Sequence, residues 1–90
     1  VIFFMAQDGV AGETSIGLDD GTNHMALQNA HSDGAGKWAV FTDRSIRDVH
    51  SSGNTFNGSV TALASGQFTI TWTKVNSPSG TLTVMYMALG

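Results

Sequence analysis

The chain has 90 residues, of which 12% are charged, a net charge of −3 and no cysteine. This length leaves room for one hydrophobic core, so we expect a single domain over residues 1–90. Four Lys and Arg residues cannot form the basic stripe of a nucleic-acid-binding protein, and the lack of cysteine excludes a disulfide framework and thiolate zinc sites. No apolar run reaches the roughly 18 residues of a membrane span, so no membrane insertion is expected.

The first half of the chain predicts short strands. Residues 1–6 (VIFFMA) are rich in β-formers and too few for a helix. Ser15–Leu18 and His24–Gln28 predict a hairpin, because the Asp-Gly pair between them supplies the positive φ of a tight turn. The segment KWAVFTD (37–43) has apolar residues on both faces, which predicts a central strand buried on both sides.

The second half ends in the clearest predicted element. Residues 44–59 predict a short strand or a single helical turn, followed by a loop, and residues 60–65 predict a strand or short helix. Residues 67–75 and 81–89 predict a closing hairpin around a loop with Pro78. Six to eight short strands, with a turn about every ten residues, are typical of an all-β fold. We therefore expect a single-domain antiparallel β-sandwich that is jelly-roll-like.

The last strand carries apolar side chains on both faces. One face changes from threonine to Met85, Met87 and Leu89 toward the end of the chain. The other face is apolar along most of its length: Leu82, Val84, Tyr86 and Ala88. An exposed apolar strand end invites aggregation. The strand is therefore expected either to be central in the sheets or to pack on another subunit, with Met85, Met87 and Leu89 as interface candidates.

Charge is concentrated in the segment TDRSIRDVH (42–50). One interpretation is a solvated turn with intramolecular Asp–Arg pairs, which contribute little to stability. The alternative is an ion-pair patch at a subunit interface, or a contact in which Arg forks onto a carboxylate or a sugar hydroxyl. On this alternative the interface candidates are Arg44, Arg47 and Asp48.

Polar loops at one end of a sandwich are where recognition is expected. The ligand-loop candidates are Asp19, Asp20, Asn23, His24, Asn54 and Asn57. Loop aspartates, Asp8 and Asp33 included, have oxygen ligands suited to Ca²⁺, but Asx turns explain them more simply. His24, His31 and His50 lack metal-ligand spacing, so no metal site is expected.

No catalytic motif is present. The chain has no G-x-S-x-G elbow, and Glu13, the only Glu, has no obvious carboxylate partner. We therefore expect no enzyme and no cofactor. Trp38, Trp72 and Tyr86 would stack on sugar rings if exposed, but the alternation of Trp72 with Phe68 and Ile70 favours packing in the core.

Three segments carry a resemblance to a known group of proteins. SIGLDDGTNHMAL, FTITWTKV and the final VMYMALG resemble the repeated β-rich domain at the end of tailed-bacteriophage and prophage virion proteins. The resemblance covers about residues 15–30 and 67–90 and consists of strand and turn chemistry. It implies a trimeric or otherwise oligomeric virion structural or adsorption module, and it carries over no catalytic residue.

Two functional hypotheses follow. The first is a non-enzymatic virion structural or adsorption module that works as a homo-oligomer or with other virion subunits. Its location would be the virion, or otherwise extracellular, and a cell-surface glycan is a further candidate partner. The alternative is a carbohydrate-binding, lectin-like β-sandwich.

Overall fold

The computed structural model describes residues 1–7, 13–30, 37–51, 54–76, 78 and 80–90. These residues form eight strands and no helix. The strands are β1 (Ile2–Gln7), β2 (Thr14–Asp19), β3 (His24–Ala30), β4 (Lys37–Phe41), β5 (Ile46–Ser51), β6 (Asn54–Ala64), β7 (Gln67–Val75) and β8 (Thr83–Ala88).

The strands form two antiparallel sheets that pack as a β-sandwich. One sheet has five strands in the order β4-β3-β2-β1-β8, and the other has three in the order β5-β6-β7. Every pairing joins strands that follow each other along the chain, except the pairing of β1 with β8. The predicted all-β sandwich is therefore confirmed.

The hydrophobic core lies between β1, β5 and β6. In β1 buried and exposed residues alternate, because successive side chains of a strand point to opposite faces. The buried cluster consists of Ile2, Phe4, Ala6, Ile46 and Val60. Phe68 and Ile70 of β7, Val84 of β8 and Leu82 just before β8 pack against it. The ring of Phe68 meets those of Phe4 and Tyr86 edge to face, with centroids 5.9 and 5.0 Å apart.

The β2–β3 hairpin is confirmed with its turn chemistry. Gly21 has a φ of 88°, a value that glycine adopts without strain. The Asp19 carboxylate accepts a hydrogen bond from the Gly21 amide at 2.8 Å, and Asp20 accepts one from the Thr22 amide at 2.9 Å. Both aspartates therefore stabilise the turn through side-chain bonds to the backbone.

The predicted closing hairpin is wrong. Strand β7 pairs with β6 and strand β8 pairs with β1, so the chain crosses from one sheet to the other between them. The apolar faces of both strands pack on the same core from opposite sheets. Their alternation is equally compatible with a hairpin, because alternation identifies a face but not a pairing partner.

Two further sequence predictions on burial need correction. Strand β4 is an edge strand and not a central one, and its Trp38 and Val40 are 58% and 64% exposed. Trp72 is 42% exposed, and therefore does not lie in the core. Residues 46–51 form a strand and not a helical turn, and residues 60–64 form a strand and not a short helix. The loop expected before residue 60 is wrong for residues 54–59, which form the first part of the long strand β6.

Candidate interaction surface

The outer side of the five-stranded sheet is apolar across its full width. One row of paired residues crosses all five strands: Met85, Met5, Ile16, Leu27 and Val40. A second row crosses four strands: Met87, Phe3, Leu18 and Met25. Trp38 lies beside the first row, two residues before Val40 on β4. We call these ten residues the apolar face.

The apolar face is open to water in the single chain. Eight of its ten side chains are between 40% and 64% exposed, and Leu18 and Leu27 are half-buried. None of the ten residues is charged. An antiparallel sheet with one solvated side normally places polar residues there. The apolar face is therefore a candidate interaction surface.

The outer side of the three-stranded sheet has the opposite composition. Phe68 and Ile70 pack on the core, so the alternate residues of β7 point outward. Of these, Thr71 and Thr73 pair with Ser59 and Asn57 of β6, and Thr69 pairs with Ala62. We call this set the threonine face: Asn57, Ser59, Thr69, Thr71 and Thr73. The two outer sides of the sandwich therefore differ sharply in their affinity for water.

On the inner side of the five-stranded sheet, polar side chains of the β2–β3 hairpin, and Glu13 just before it, are buried in the sandwich. Glu13, Ser15 and Gln28 are at most 1% exposed. The Gln28 amide donates to Glu13 Oε2 at 3.4 Å, and the Arg47 guanidinium donates to Gln28 Oε1. The Arg47 backbone amide donates to Ser15 Oγ at 3.0 Å. Through these bonds the interior side of β2 and β3 holds strand β5 by polar contacts.

Asp19 links the two sheets through a buried hydrogen bond. Its carboxylate is 1% exposed and accepts from the Val60 amide on β6 at 2.9 Å, while His24 Nδ1 lies 2.8 Å from the same oxygen. Burial raises the pKa of Asp19, but bonds from His24, the Val60 and Gly21 amides and Ser45 outweigh that effect, so the pKa lies below its usual value of 3.8. This placement gives Asp19 and His24, both ligand-loop candidates, a structural role.

Asp20 and Asn23 lie in the exposed turn of the same hairpin. Asp20 accepts hydrogen bonds from the amide and the side chain of Asn23, at 2.6 and 3.0 Å. These bonds, together with the Thr22 amide, lower the pKa of Asp20 to about 2. The Asx-turn interpretation is thus confirmed for this loop.

No metal centre is assembled by the part of the chain that the structure describes, since it holds no group of three or more His, Asp or Glu side chains in ligand geometry. Asp8, Asp33 and His31 lie outside the described residues.

Arg44 lies in a pocket at the margin of the threonine face. Its Nε and Nη2 atoms donate to the two carboxylate oxygens of Asp43 at 2.8 and 2.9 Å, and Nη1 donates to Asn57 Oδ1 at 2.7 Å. The hydrogen bond with Arg44 lowers the pKa of Asp43. An interface candidate and a ligand-loop candidate are thus brought together, and the predicted Asp–Arg pairing is confirmed for Asp43 and Arg44.

The remaining candidates, Arg47, Asp48 and Asn54, are partly or fully buried. The guanidinium of Arg47 lies 4.6 Å from the centre of the Phe41 ring and bonds to Gln28. Asp48 is 0% exposed on β5, which places it in the interior and not on a solvated turn. Asn54 is half-buried at the start of β6.

Met85 and Met87 belong to the apolar face, but Leu89 borders a separate groove. This groove has a volume of about 780 Å³ and lies between the tip of the β6–β7 hairpin and the chain ends. Leu63, Phe68 and Tyr86 line it as well. The Leu89 amide donates to the Val1 carbonyl at 2.9 Å, which extends the β1–β8 ladder past its end.

The sequence analysis did not identify the β2 and β3 residues of the apolar face, although part of their arrangement could be predicted. The pairing of Ile16 and Leu18 with Leu27 and Met25 follows from the hairpin register, so the stripe across β2 and β3 was predictable. Alternation shows that the stripe occupies one face of the two strands. It does not show that this face points outward while Glu13 and Gln28 point inward.

Comparison of the chain with protein-family models, curated proteins and solved structures finds no match. Among the described residues no helix is long and apolar enough to cross a membrane.

Proposed function

We propose that the chain is a non-enzymatic structural or adsorption module that assembles with copies of itself through the apolar face. The observation that carries this proposal is the uninterrupted apolar row from Met85 to Val40, which crosses five strands and is exposed at every position except the half-buried Leu27. Water contact with so many large apolar side chains is unfavourable, and covering them is the main driving force of protein association.

A second copy of the chain is the partner that this surface fits. A side chain of this size presents roughly 200 Å² when fully open, so eight at about half exposure present on the order of 800 Å². That is about what each partner contributes to a standard stable interface. The face has no charge that would demand an opposite charge on its partner, and two copies related by a two-fold axis would stack as sheets about 10 Å apart.

The virion setting rests on the resemblance of residues 15–30 and 67–90 to phage virion domains. Repeated copies suit that setting, because many weak contacts with a partner surface add up to a large avidity. In this arrangement the apolar face lies between copies and the threonine face looks outward.

The lectin-like alternative requires an exposed aromatic ring beside converging polar groups. Trp38, Trp72 and Tyr86 are all exposed, but none of them lines the pocket around Arg44, where polar groups converge, and Trp38 lies on the apolar face opposite Asn29. The geometry therefore favours assembly over a stacking lectin as the main function.

Light scattering over a concentration series tests the assembly. We expect a dimer or a larger oligomer for the natural chain and a folded monomer for Ile16→Asp, since this substitution places a charge at the centre of the apolar face. Thr69→Asp, on the threonine face, is the matched control and leaves the assembly unchanged. A natural chain that is monomeric at every concentration would refute self-assembly and leave a different subunit as the occupant of the face.

A further inference from the structure

We propose that the pocket around Arg44 binds a saccharide, a neutral ligand rich in hydroxyl groups, through hydrogen bonds. This inference is independent of assembly, because the pocket lies on the threonine face and the proposed interface lies on the other sheet. The pocket has a volume of about 290 Å³, near the lower end of the range for small-molecule sites, which suits a single sugar unit. It is lined by Asp43, Arg44, Asn57, Ser59, Thr71, Thr73 and Val75.

Arg44 is held in place before any ligand arrives. Asp43 accepts from two N–H groups on one edge of the guanidinium, Asn57 accepts from a third N–H group, and the centre of the Phe41 ring lies 4.7 Å from the central carbon. A guanidinium has five N–H donors, and these bonds use three of them. Two donors remain for a ligand, and because their direction is fixed, little conformational entropy is lost on binding.

The charge of the pocket favours a neutral ligand over an anion. The Asp43 carboxylate is paired with Arg44 through two hydrogen bonds, so it offsets the positive charge that would otherwise attract phosphate. The Asp43 side chain is nevertheless 68% exposed, and its oxygens can accept from the hydroxyl groups of a ligand. A carboxylate acceptor beside guanidinium donors matches a hydroxyl group, which both donates and accepts.

The rest of the pocket supplies more groups of the same kind and one apolar contact. Ser59 Oγ donates to the Asp43 carbonyl at 3.3 Å, and Thr71 Oγ1 lies 2.9 Å from Thr61 Oγ1. Each hydroxyl keeps further capacity for hydrogen bonds. Val75 is 46% exposed and offers an apolar surface to the C–H groups of a sugar ring. No ring stacking is involved, so the affinity of one site is expected to be weak and repeated copies would strengthen it.

The test is an NMR titration of the uniformly ¹⁵N-labelled full chain with glucose, galactose, mannose and N-acetylglucosamine, one at a time, at millimolar concentrations. At least one sugar is expected to shift the amide signals of Ser59, Thr71 and Thr73 and the Arg44 Nε–H signal, with saturation. Arg44→Lys keeps the charge but loses the fork and is expected to weaken binding about tenfold. Thr69→Ala, on the same face but outside the pocket, leaves binding unchanged.

Three results would overturn the inference. One is the absence of saturable shifts at the pocket with all four sugars. Another is identical binding by Arg44→Lys, with its fold confirmed by circular dichroism. The third is stronger binding of inorganic phosphate than of any sugar at the same signals, which would identify the pocket as an anion site.

Discussion

The two outer sides of the sandwich occupy equivalent places in the fold and have opposite chemistry. On the five-stranded sheet, Phe3, Met5 and Ile16 are 40 to 46% exposed. On the three-stranded sheet, the corresponding outward positions are taken by Thr69, Thr71 and Thr73. Strand propensity does not explain the difference, because threonine and isoleucine both favour strands. The two outer sides therefore differ in how well they suit contact with water.

The contrast continues on the inner sides. The three-stranded sheet turns Val60, Phe68 and Ile70 toward the core, as expected for a sandwich. In the five-stranded sheet, β1 does the same, but β2 and β3 bury Ser15, Asp19 and Gln28. The hairpin β2–β3 therefore has its apolar side outside and its polar side inside. Such an arrangement is stable only if the buried polar groups are hydrogen-bonded.

The close contact between the sheets at Gly17 gives the largest expected effect on stability. A Cβ atom at Gly17 would overlap the carbonyl oxygen of Ser45, which belongs to the backbone and cannot move aside. We expect Gly17→Ala to lower the free energy of unfolding by about 3 kcal/mol in urea denaturation. At Gly58, on the other sheet, a Cβ atom would meet the Trp72 ring at 3.0 Å and the Ile70 side chain at 3.2 Å.

Gly58→Ala is therefore the matched variant on the three-stranded sheet. Its neighbours are side chains, and Trp72 is partly exposed and can shift, so we expect a loss of about 1 kcal/mol or less. Equal losses for the two variants would mean that the sheets do not approach more closely at Gly17 than elsewhere.

Acid should weaken the polar link between the sheets. The folded pKa of Asp19 lies below 3.8, so its stabilising effect is complete above the unfolded pKa and is lost as the pH falls through the folded one. Urea denaturation from pH 6 to pH 2 is expected to show a falling free energy of unfolding below about pH 4. Asp20 and Asp43, whose pKa values are also lowered, contribute to the same fall.

Asp19→Asn isolates the contribution of Asp19. The amide cannot ionise, so the variant starts less stable at pH 6 and loses less stability on acidification than the natural chain. Parallel curves for the two chains would show that Asp19 has the same pKa folded and unfolded, and that the Val60 amide bond does not depend on the charge.

Local chemistry made much of the fold predictable. The Asp-Gly turn specifies the β2–β3 hairpin, and Gly21 adopts the positive φ that this turn requires. The short apolar run at residues 1–6 is a strand, and the alternating segments near the end of the chain form the strands β7 and β8. These features depend only on residues close together in sequence.

The features that were not predicted depend on distant contacts. The separation of β7 and β8 into two sheets is set by the pairing of β8 with β1, some 80 residues away along the chain. The interior position of Glu13 depends on Gln28, and that of Asp19 on Val60. A two-sided apolar strand such as β4 predicts burial on both faces, and it cannot indicate whether the second face is covered by its own chain or by another.

The mildest change, a double substitution, tests whether the apolar face is covered by its own chain or by another. Met25→Thr combined with Val40→Thr gives part of the apolar face the composition of the threonine face and keeps a strand-forming residue at both positions. Both side chains are exposed in the single chain, at 48% and 64%, so the unfolding free energy of the dissociated protein should change by less than about 0.5 kcal/mol. Association and the binding of a hydrophobic dye should fall, as measured by light scattering and fluorescence. A stability loss above about 2 kcal/mol in the dissociated chain would instead show that these side chains are packed by the chain itself, and that the two outer sides differ less than their composition indicates.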